Sequence, residues 1–141
     1  MKNILIILLA ITLSAEAADD RRAGPNGGRV IESVDPHAEF SVLEDRRVQI
    51  TFLDESLNPI AVADQTVEVI AGDRTNPTEL SFTETNGTLT SDAPLPEGNA
   101  VPAVVRIKTD ADSETVTERI NVNLAQCPTC DYAEYACTCG H

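Results

Sequence analysis

The stretch His37-Ala38-Glu39-Phe40-Ser41-Val42-Leu43-Glu44-Asp45-Arg46-Arg47-Val48-Gln49-Ile50-Thr51-Phe52 decides the fold class. Ala38, Phe40 and Val42 alternate with Glu39 and Ser41, and Val48, Ile50 and Phe52 alternate with Gln49 and Thr51. Successive strand side chains point to opposite faces, so a period of two lays one apolar face on a core. Glu44-Asp45 reads as a two-residue turn, and the whole stretch predicts a hairpin.

The same pattern continues on both sides. Arg29-Val30-Ile31-Glu32 reads as a first strand before the Val34-Asp35-Pro36 turn. After a polar loop from Asp54 to Pro59, strands are expected at 66–71, at 79–84 with Leu80 and Phe82 inward, and at 88–90. Asn86-Gly87 joins the last two and is a strong hairpin signal, because both residues tolerate positive φ. Pro94, Pro96, Gly98 and Pro102 mark a rigid loop. Strands at 103–108 and 115–124 follow, the last expected to be the longest. About seven or eight short strands without a helical period predict an all-β domain over 29–125. An immunoglobulin-like antiparallel β-sandwich leads, and a small closed barrel is the alternative. No Cys…Trp…Cys framework is present, so an antibody-type domain is excluded.

Of the 141 residues, 10 are Lys or Arg and 23 are Asp or Glu, a net charge of −13 that argues against nucleic acid. Such a surface favours solubility and attracts cations. With no Trp and three Phe, the core must be built mainly from aliphatic residues.

Met1-Lys2-Asn3, the apolar run Ile4–Leu13 and Ala15-Glu16-Ala17 together read as a secretory signal peptide over 1–17. The run is about half of the ~20 apolar residues that a spanning helix needs, so no membrane span is expected after signal removal. The mature chain is expected to begin near Ala18 with a flexible lead over 18–28, in the periplasm or outside the cell. Disulfides form and persist in such compartments.

All four cysteines lie in a tail over 126–141, as Cys127-x2-Cys130, six residues, then Cys137-x-Cys139-x-His141. Thiolates are soft ligands suited to zinc and monovalent copper. A Cys-x2-Cys pair lets two sulfurs reach one ion from a tight turn. Cys127, Cys130, Cys137 and Cys139 are therefore candidate metal ligands, with His141 as an alternative or fifth donor. Two other readings stand beside this one. The four thiols allow three disulfide connectivities, and pairing between the two clusters is favoured because a Cys137–Cys139 bridge is strained. Cys127-Pro128-Thr129-Cys130 also has the C-x-x-C redox form, but that chemistry needs a helix N-terminus in a βαβ context. The tail's few apolar residues predict mobility.

No arrangement for nucleophilic catalysis and no phosphate-cradling loop is visible, so no enzymatic activity is expected. His37 reads as an exposed turn residue or an accessory metal ligand.

Gly24-Pro25-Asn26-Gly27-Gly28-Arg29-Val30-Ile31, followed by His37-Ala38-Glu39-Phe40-Ser41-Val42, resembles the opening of the N-terminal region in periplasmic adaptor (membrane-fusion) proteins of heavy-metal efflux pumps. Those adaptors commonly carry His where this chain has Asn26. The parts of a full adaptor that bridge pump and outer channel have no counterpart here. The resemblance implies an accessory role: a metal binder, carrier or sensor, with a heavy-metal efflux pump subunit as a partner. The alternative function is a cell-envelope structural or interaction module whose tail is disulfide-bonded.

Overall fold

The computed structural model describes residues 22–139, so the expected signal peptide and His141 lie outside the described residues. Among the described residues, ten strands form two antiparallel sheets over one core. The first sheet has the order β1 (Arg29–Ile31), β2 (His37–Val42), β3 (Arg47–Leu53), β8 (Thr88–Pro94), β7 (Phe82–Thr85). The short β4 (Pro59–Ile60) extends it beside the end of β3. The second sheet has the order β10 (Val116–Asn123), β9 (Ala100–Lys108), β5 (Thr66–Ala71), β6 (Thr78–Leu80).

The alternation read from the sequence sets which residues meet. Phe40, Val48, Ile50 and Phe52 of the first sheet pack with Val69, Val105, Ile107, Ile120 and Val122 of the second in one buried cluster. The domain is thus an all-β sandwich with a Cys-rich C-terminus. β1 and β7 stand at the ends of the first sheet's order, and β10 and β6 at the ends of the second.

Several local expectations change. The count is ten, above the expected seven or eight, partly because the strand read at 79–84 is divided between the sheets. Leu80 pairs with Val69 in one sheet and Phe82 with Ser91 in the other, so the chain crosses at Ser81. Residues that face one core can do so from either sheet, which periodicity does not distinguish. The β2–β3 turn is longer than two residues. The Leu43 amide donates to the Arg47 carbonyl, and Arg46 takes a positive φ of 66°. Its guanidinium donates to the Pro96 and Gly98 carbonyls, which fixes the proline-rich loop at that end. The last strand is shorter than β9, which begins at Ala100 and takes in Pro102. Pro102 stands just beyond the end of β5, where its carbonyl accepts the Gly72 amide. The Asn86-Gly87 turn forms as expected, with φ of 53° and 82°.

The segment read as a flexible lead is, over 22–28, a folded turn. The Gly24 amide donates to the Gly28 carbonyl, and Ala23 bridges to Arg29. The turn wraps the Glu39 carboxylate, which accepts the Asn26 and Gly28 amides and the Asn26 side-chain amide, each at 2.8 Å. Glu39 is fully buried, and a buried carboxylate requires such partners. A Cβ on Gly24 would lie 2.2 Å from the Glu39 carboxyl carbon, which is why the turn needs glycine there.

The tail follows β10 and closes one side of the sandwich. It lies across the seam where the edge strands β1 and β10 approach, marked by the Arg29–Glu118 ion pair at 3.2 Å. Among the described residues, no helix is long and apolar enough to cross a membrane.

Candidate metal centre

A short hairpin builds the first half of the centre. Gln126 bridges to Ala133, the Cys127 amide donates to the Tyr132 carbonyl, and the Gln126 side-chain amide donates to the Cys130 and Tyr132 carbonyls. The resulting tight turn turns Cys127 and Cys130 toward one point, as a Cys-x2-Cys spacing allows. The Glu134 amide then donates to the Ala125 carbonyl, and a single 3-10 turn, Glu134–Ala136, carries the chain back to Cys137.

That return brings the two cysteine pairs together. The Cys127 and Cys137 sulfurs are 3.1 Å apart, those of Cys130 and Cys137 are 3.5 Å apart, and all four sulfurs lie within 4.8 Å of one another. The four thiols are free. Four sulfurs around one tetrahedral ion, each at about 2.3 Å, would stand about 3.8 Å apart. The observed separations bracket that spacing, so the cluster fits a single thiophilic ion with small adjustments. Cys127 and Cys137 are buried, Cys130 is half-buried and Cys139 is exposed, so the ion would meet solvent on the Cys139 side.

The protonation pattern is uneven. The Thr129 hydroxyl and amide hold Cys127 down at about 6. The Cys139 amide acts to lower Cys137, but the Cys127 sulfur, burial and the other two thiols outweigh it and push Cys137 up to about 12. At Cys130 the Tyr132 amide likewise acts downward, yet burial and the neighbouring Cys127 sulfur leave it raised. In the metal-free state this describes, Cys127 is a thiolate beside the protonated Cys137. A cation offsets the repulsion that keeps Cys137 protonated, so binding releases protons. The redox reading expected a helix N-terminus as the only means of lowering a thiol here. Thr129 performs that task without one.

The centre is attached to the core by the residues between its halves. Tyr135 is 7% exposed and its ring meets Phe40 edge-on, with centroids 6.0 Å apart. Its hydroxyl accepts the Val42 amide at 3.0 Å. Burial raises the Tyr135 hydroxyl, outweighing that bond, and the nearby Glu39 carboxylate adds to the rise. Tyr132 packs beside Gly27, so the turn around Glu39 and the cysteine hairpin are neighbours. The expectation of a mobile tail therefore changes, because Tyr135 and Ala136 anchor it.

Cys127 and Cys137 are buried with Tyr135 and Ala136, so a cross-link among the sulfurs, by metal or disulfide, would add to the packing that holds the tail.

All four cysteines expected as ligands are brought together. His141 lies outside the described residues. His37 is not in the cluster: it opens β2, and its ring nitrogen Nδ1 meets the Val34 carbonyl at 3.0 Å. Sequence reasoning missed Tyr135 and Thr129, whose roles depend on neighbours 93 and two residues away. The chain's two tyrosines, Tyr132 and Tyr135, both stand between the cysteine pairs, and that placement was the available signal for Tyr135.

No family model, curated protein or solved structure matches this chain.

Proposed function

We propose that this protein is an exported, non-enzymatic metal-binding accessory protein of heavy-metal homeostasis or efflux, holding zinc or copper(I) at Cys127, Cys130, Cys137 and Cys139. The observation that carries the reading is the convergence of all four sulfurs within 4.8 Å. Export rests on the N-terminal pattern, and the efflux link rests on the Gly24–Val42 resemblance. The turn's wrapping of Glu39 gives that motif a structural purpose of its own, so the link depends on a partner test with a pump subunit.

A second reading is favoured by one specific distance. Cys127 and Cys137, at 3.1 Å, are the pair placed to form a disulfide between the two clusters. In that case the protein is an envelope module with an oxidised tail.

Purifying the mature protein from its own compartment and measuring metal content together with free thiols separates the two. The metal reading expects one equivalent of zinc or copper, lost in the Cys127→Ser and Cys139→Ser variants. Four blocked thiols and no metal would remove it in favour of the second.

A further inference from the structure

We propose that metal occupancy of the four-cysteine centre works as a clasp, deciding whether Tyr135 is docked on the β1–β2 edge of the sandwich. The proposal rests on the metal reading above and adds what the ion does to the rest of the domain.

The geometry places the docking residue inside the loop that the ion would close. Tyr135 lies between Cys130 and Cys137, and the sulfurs on either side of it are 3.5 Å apart. Its ring covers Phe40, a core residue with no exposed surface of its own. Its hydroxyl serves a backbone amide that the sheet does not. The β1–β2 pairing reaches only as far as Arg29 opposite Phe40, and the Val42 amide donates to Tyr135 instead. On the other side the tail is held to residues around the end of β10, through Glu134 to Ala125 and Leu124 to Asn99. A closed tail thus spans the seam between the two sheets.

The tail buries only Cys127, Tyr135, Ala136 and Cys137, so a cross-link among its sulfurs would add strongly to what keeps it closed. Releasing the ion from reduced thiols would shift the tail toward an open state in which Tyr135 is undocked, the Phe40 side of the seam is exposed and the Val42 amide is left to water. The Glu39 turn would lose Tyr132 as a neighbour but keep its own hydrogen bonds. The domain would therefore stay folded while one edge opens. This converts metal binding into a change of surface at β1–β2, which is what a sensor or a metal-dependent docking protein requires.

Residue-resolved hydrogen exchange on the full mature protein tests this, with thiols kept reduced by a phosphine. One sample carries one equivalent of Zn²⁺ and the other is stripped by a chelator. Native mass spectrometry is run on both. The Val42 amide should exchange at least about tenfold faster in the stripped sample, while the Ile50 and Val105 amides stay protected. In Tyr135→Phe, zinc should still bind, yet Val42 should exchange fast with metal present. Equal Val42 exchange in two samples whose masses differ by one zinc would overturn the clasp and leave the metal reading standing. Full Val42 protection in zinc-loaded Tyr135→Phe would overturn the role of the hydroxyl, and the clasp with it. Absence of zinc from the first sample would remove the metal reading and the clasp together.

Discussion

Glu39 and Gly28 are joined inside the first sheet: the Gly28 amide donates to the Glu39 carboxylate at 2.8 Å, fully away from solvent. The Asn26 amide donates to the same oxygen, so one carboxylate satisfies two backbone donors of the turn. Glu39→Ala leaves both without an acceptor; the Gly28 amide is buried, and an unsatisfied buried donor costs about 1–3 kcal/mol. We expect urea midpoints to fall accordingly. Glu39→Gln, which keeps one accepting oxygen, should lose less. Equal losses for the two variants would mean that the charge, rather than the acceptor, matters. The measurement is made with zinc saturating, so that the tail state is constant.

Gly24→Ala puts a methyl group into the space that the Glu39 carboxyl occupies. Overpacking of this kind costs about 1–3 kcal/mol. The loss should largely disappear in a Glu39→Ala background, since the clash partner is then gone. A double-mutant cycle reads the coupling, and simple additivity would refute the contact as its cause.

Each cysteine is expected to contribute to metal affinity. Loss of a residue that merely supports a metal ligand costs about 10–100-fold, so loss of a ligand should cost at least about a hundredfold. Competition with a chromogenic chelator should show this for Cys127→Ser and Cys137→Ser. His37→Ala should leave affinity unchanged, because His37 is bonded to Val34 and lies outside the cluster.

In the metal-free, reduced protein Cys127 should be a thiolate at neutral pH. Thiolate absorbance should rise with a midpoint near the value of about 6 held by Cys127, and Cys137 should stay protonated to about 12. A depressed folded-state pKa stabilises above the unfolded value and loses that contribution as pH falls through the folded one. Docking of the metal-free tail should therefore strengthen from pH ~6 to ~9 on account of Cys127. Cys137 acts with the opposite sign above ~9, because its folded value is the raised one. Thr129→Val should move the low midpoint upward. An unchanged midpoint in that variant would exclude the Thr129 hydroxyl as the cause.

Under oxidation by a disulfide reagent such as oxidised glutathione, the metal-free protein should form the Cys127–Cys137 bond first. The reagent is reduced to two thiols as the pair loses two protons and two electrons. Peptide mapping identifies the pair, and zinc-loaded protein should resist. A first bond between Cys127 and Cys130 would instead support the C-x-x-C reading.

Much of the fold was legible in the chain because its information is local. A period of two in 37–52 announces a half-buried hairpin whatever surrounds it, and Asn86-Gly87 carries its own turn. The four candidate cysteine ligands were legible for a similar reason, since their softness and spacing are properties of the sequence itself. What the chain could not declare were pairings across long separations. Leu80 and Phe82 look alike in sequence, yet they belong to different sheets, because either sheet offers the same apolar core. The Gly-Pro-Asn-Gly-Gly segment looked like a loose lead, because its partner, Glu39, sat in a strand and read as a polar position facing water. The tail looked mobile, because Tyr135 finds its acceptor role and its aromatic neighbour only when β2 is brought beside it. Composition and short-range pattern determined an all-β domain and a thiol site. Only tertiary packing decided that the site closes a seam of that domain, since burial and hydrogen-bond satisfaction depend on residues far apart in the chain.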